Sequence, residues 1–132
     1  MRTIINLRLV VWQFVRLMVA LEERERTTKK TPVVLKIWRE TWSEIDRNLS
    51  RAAAEDADAF SELMMETEVV LEDLSGLALS EIRKTFSKVA EDLTRESRAA
   101  KIDPDQKEAL LFEAKALKDL LREPPLKQPA KN

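Results

Sequence analysis

The chain has 132 residues, 44% hydrophobic and 36% charged, with 23 basic and 24 acidic side chains giving a net charge of −1. That supplies one folded core and no surplus for a comfortable second one. The absence of cysteine and histidine excludes disulfides, thiol nucleophiles, thiolate or imidazole metal sites and any histidine-based relay, and a single glycine leaves no phosphate-cradling loop.

The most apolar stretch comes first, Thr3 to Leu21. Ile4, Leu7, Val11, Phe14, Val15, Met18 and Leu21 fall on one helical face, and the period predicts a helix from about Thr3 to Arg24. A strand at Ile5 to Val11 competes, because that part is rich in branched residues. The length of the apolar run favours helix. Ile5, Leu9, Trp12 and Val19 widen the apolar surface almost around the cylinder, so the helix needs neighbours on several sides or a bilayer. Arg8 and Arg16 sit inside it. Their insertion cost of about 5–7 kcal/mol cancels most of what its aliphatic residues would contribute to a membrane span.

Thr31-Pro32 reads as an N-cap followed by a helix-starting proline. From Val33 to Leu74 one stripe keeps its phase through Trp38, Trp42, Ile45, Leu49, Ala53, Asp56, Phe60, Leu63, Thr67, Val70 and Leu74. The steps of three and four predict helix throughout. A break near Ala53 to Asp58 is preferred to one long rod, with aspartates as caps. Gly76 is expected to end this run as a left-handed residue. A further helix carries Leu79, Ile82, Phe86, Val89 and Leu93, with Glu91 and Arg95 spaced to pair. It fades at Ser97 to Lys101. Asp103-Pro104-Asp105-Gln106 starts the last helix with a cap, a proline and an acidic first turn, and Pro124-Pro125 stops it. The fold class expected is therefore all-α, an antiparallel bundle of four to five helices with the N-terminal helix largely buried. The domain spans 1–123, and 124–132 is a disordered tail.

Charge is unevenly distributed. Residues 1–51 hold 11 basic and 6 acidic side chains, residues 52–80 hold 8 acidic and no basic ones, and residues 81–132 hold 12 basic and 10 acidic. Within the acidic block Asp58, Glu62 and Glu66 are four apart, on one helical face. A solvated outer face is the plain reading, and a docking surface for a basic partner is the sharper one. Glu55 to Asp58 matches half of a carboxylate pattern that holds Mg²⁺ in helical pyrophosphatases, but Arg26 stands where the partner motif beginning at Glu22-Glu23 needs its third glutamate. Trp12 and Trp38 suit a buried core, or anchors at an interface. The N-terminal basic residues alternate with glutamates and make no clean phosphate-binding face.

The expectation is a non-catalytic helical subunit or adaptor in the cytoplasm, with no cofactor. It binds a protein partner or a second copy through Asp58, Glu62, Glu66, Trp12 and Trp38. A peripheral membrane protein using its first helix, and a carboxylate-Mg²⁺ hydrolase of nucleotides, are the alternatives.

Overall fold

The computed structural model describes residues 3–99, 101–123 and 126–129. Among them are five helices and a small antiparallel sheet. The chain is mostly helical, so the expected all-α class broadly fits, with a small sheet that was not expected.

The opening stretch divides. Thr3–Val10 is a strand, β1, and only Val11–Thr28 is helical, α1. The expected helix from Thr3 is corrected by its partners. Leu7 to Val10 pair with Glu68–Leu71, β2, and Thr3 to Asn6 pair with Leu126–Pro129, β3, giving the order β2-β1-β3. Branched residues suit a pleated, half-buried surface, and along β1 Leu7 and Leu9 face the core while Arg8 is exposed. Strand and helix meet without a loop at Val10, whose backbone N–H donates to Gln13 Oε1 at 3.0 Å.

The tail also needs correcting. Leu126–Pro129 is a strand, whereas residues 124–125 and 130–132 lie outside the described residues. β2 falls where the helical stripe was expected to continue. Val69 and Leu71 are buried while Glu68 and Val70 are exposed, the period of two that a half-buried strand requires.

Between these strands lie Val33–Glu55, α2, which kinks at Trp38, and Ala57–Glu66, α3. The break falls at Asp56. Its extended backbone ends α2, and its carboxylate accepts from the Ala59 N–H at 2.6 Å to cap α3. Gly76–Glu96, α4, begins at the glycine expected to end a helix, and Ser75 is its cap, accepting from Ala78 N–H at 3.1 Å. The left-handed residues are Lys29, closing α1, and Asp73, in the turn before α4. Pro104–Arg122, α5, starts as read, with Asp103 accepting from Asp105 N–H at 3.1 Å. Arg95 pairs with Asp92 rather than Glu91.

Thr31 does not cap α2. Its hydroxyl donates to Glu25 Oε2, which also takes Arg39, and these partners hold the Glu25 carboxyl below the usual carboxylate range, the hydroxyl contributing most. The two first N–H groups of α2, Val33 and Val34, donate instead to the carboxylate of Glu81 on α4, at 3.1 and 2.8 Å. A side chain 47 residues away closes this helix end.

The core is built on α1, whose Phe14, Leu17, Met18 and Leu21 are fully buried. Around it pack Val34 and Leu35 from α2, Leu71 from β2, Ile82 and Phe86 from α4, and Leu117 from α5. Trp42 stands edge-on to Phe14, ring centroids 6.1 Å apart, and donates its indole N–H to Glu22. Asn6 is one of two buried polar residues among the described residues. Its Oδ1 accepts from the Asp73 N–H at 2.9 Å and so ties the left-handed turn to β1.

Candidate docking groove

α3 packs on α2, α1 and β1, whereas α5 packs chiefly on α4. The two helices therefore stand apart, and a groove of about 480 Å³ opens between them. Trp12, on the first turn of α1, lines it together with Met64 and Met65 of α3 and Asp105, Glu108, Ala109, Phe112 and Glu113 of α5. The α5 residues follow i, i+3, i+4, i+7, i+8 and form one helical face about 12 Å long, at 1.5 Å per residue.

The walls are apolar and open. Phe112 is 59% exposed and Met65 49%, while Trp12 is almost wholly covered. Large aromatic and thioether side chains left in water are the informative surface feature, since scattered aliphatics are normal. Arg16 pairs with Glu113 at the groove and neutralises that carboxylate.

The rim is acidic. By helical spacing Asp58 and Glu62, seven and three residues before Met65, share its side of α3, whereas Glu66 lies about 100° further round the helix, and none of the three lines the groove itself. All three are exposed. Among the described residues Asp58, Glu62, Glu66, Asp105 and Glu108 enter no ion pair. By helical spacing Lys107 and Lys118 lie on the opposite side of α5, whereas exposed Lys115, seven residues after Glu108, shares its side without an ion pair to it among the described residues.

The structure thus brings Trp12 to the groove beside the helix that carries Asp58, Glu62 and Glu66. It places Trp38 elsewhere, half-buried at the kink of α2 against the core. Met64, Met65 and Phe112 were missed in the sequence reading. Phe112 is apolar like the neighbouring Leu110 and Leu111 of its helix, and only the departure of α3 from α5 leaves it uncovered. Glu22 and Glu23, the other half of the metal pattern, are engaged with Trp42 and Arg26, and among the described residues no three carboxylates stand close enough to hold a metal ion. No helix of the described residues is long and apolar enough to cross a membrane.

Comparison with protein-family models, with curated proteins and with solved structures finds no match.

Proposed function

We propose that this protein is a non-catalytic helical subunit or adaptor, cytoplasmic, that works by associating with another protein chain. The observation that carries this reading is the open apolar groove between α3 and α5, with carboxylates near it that enter no ion pair among the described residues. Uncompensated like charges four apart destabilise their own helix mildly, and a partner that brings cations offsets that cost. The same carboxylates repel phosphate, so nucleic acid and anionic lipid headgroups suit this face poorly. The apolar face of α1 is occupied by the core, which leaves little of it for a bilayer.

Replacing Asp58, Glu62 and Glu66 together with Gln removes charge and keeps helix propensity. The triple variant is expected to melt at or slightly above the wild-type temperature yet lose association with its partner or with a second copy. Wild-type association is expected to weaken steeply as salt shortens the screening length from about 10 Å at 0.1 M to 3 Å at 1 M. Sedimentation or pull-down of both proteins at the two salt concentrations decides it. Association unchanged by salt and by the substitutions would reject the docking reading.

A further inference from the structure

We infer that the occupant of the groove is a basic amphipathic helix of another protein, seated lengthwise between α3 and α5. This deepens the docking reading and rests on it. Three features of the groove specify the occupant.

Length is the first. The lining face of α5 runs about 12 Å, and on a helix residues i and i+7 stand about 10.5 Å apart. Apolar residues at i, i+3 or i+4, and i+7 of an incoming helix therefore span the distance from Asp105 to Glu113. An extended strand would cover the same distance in about four residues and would leave its backbone groups unpaired, because helices, not a sheet edge, form the walls.

The walls are the second. Met64, Met65 and Phe112 supply adaptable thioethers and one large ring beside the buried Trp12. Methionine tolerates different side-chain shapes in a partner, and aromatic residues anchor helices laid into grooves. The exposure of Phe112 leaves the groove too open to enclose a small molecule, which ordinary ligand sites bury by about 70–90%.

Charge is the third. Asp105 and Glu108 line the α5 side, and Asp58 and Glu62 share Met65's side of α3 by helical spacing, all unpaired among the described residues. A helix whose apolar stripe enters the groove presents its two flanks to these two rows, so Lys or Arg on both flanks satisfies them. An acidic or neutral amphipathic helix meets the same walls without that gain, and an acidic one is repelled.

The test uses full-length protein and synthetic 18-residue peptides, observed by fluorescence anisotropy of a label on the peptide. One panel carries Leu at i, i+3, i+4 and i+7 with Lys elsewhere, in several registers. A second keeps the Leu positions with Glu elsewhere, and a third scrambles the Lys peptides so that the stripe is lost. At least one Lys-stripe peptide is expected to bind wild type, at least about tenfold tighter than its scrambled and Glu counterparts. Phe112→Ser, at an exposed position that the fold does not depend on, is expected to weaken it about tenfold or more, and the triple Gln variant to weaken it and flatten its salt dependence. Scrambled and striped Lys peptides binding alike, insensitive to Phe112→Ser, would overturn the helix-in-groove inference while leaving an acidic docking face intact. No binding of any peptide by wild type would overturn it as well. Sedimentation of the protein alone checks the remaining occupant: a dimer abolished by Phe112→Ser would make the occupant a second copy and reject a foreign helix. Failure of the docking reading itself is registered separately, by natural association that ignores salt and the triple substitution.

Discussion

Glu81 shows how a single side chain here does work assigned by position to another. Its carboxylate takes the first two N–H groups of α2, so the entry of that helix is fixed by α4 and not by its own preceding residue. Glu81→Ala leaves both donors to water and removes a negative charge from a positive helix end. The expected cost is about 0.5–2 kcal/mol, the range of a lost cap. Glu81→Gln keeps an oxygen acceptor and is expected to cost less. Chemical denaturation of the two variants checks the order, and equal losses would mean that the negative charge carries the whole contribution and the retained acceptor none. Thr31→Val is the matching control, since Thr31 bonds Glu25 and leaves the α2 donors untouched.

At the scale of elements, β1 is the part with most depending on it. Its two halves serve different partners: Leu7 to Val10 pair with β2, Thr3 to Asn6 with β3. Truncation after Glu123 removes β3 and frees only the first half. Hydrogen exchange is expected to rise in Thr3 to Asn6 while Leu7 to Val10 stay protected by β2 and by burial of Leu7 and Leu9. Uniform loss of protection along the strand would mean that β3 supports the whole sheet. The Asp56 cap illustrates the opposite case, a local decision. An extended residue and one carboxylate bond suffice to divide the stretch from Val33 to Glu66 into α2 and α3.

Over the whole molecule, the core is built where α1 meets α2, α3 and α4. Leu17 is fully buried there, and Leu17→Ala is expected to cost about 2–5 kcal/mol, a large part of the 5–15 kcal/mol typical of a domain. Leu77, 77% exposed at the start of α4, is expected to tolerate Ser within about 0.5 kcal/mol. Far-ultraviolet circular dichroism during thermal melting measures both. A larger loss at Leu77 than at Leu17 would contradict the placement of the core.

The sequence by itself determined the parts whose signals are local. The Asp103-Pro104 start of α5, the break at Asp56, and the helical phase from Val33 to Phe60 and from Leu79 to Leu93 need no distant partner, because caps and apolar period act within a turn or two. The uneven charge was legible by counting. Tertiary structure decided the rest. Ile4 to Val10 and Val69 to Leu71 carry apolar residues that fit either period, and for such runs the choice rests on whether another strand is available to pair. β1 finds two, one of them from the far end of the chain. Gly76 has no left-handed backbone because Asp73 already makes that turn, held by buried Asn6. The groove followed from tertiary packing alone. Trp12, Met65 and Phe112 are apolar members of three helices, and only the separation of α3 from α5 determines which of them stay in contact with water.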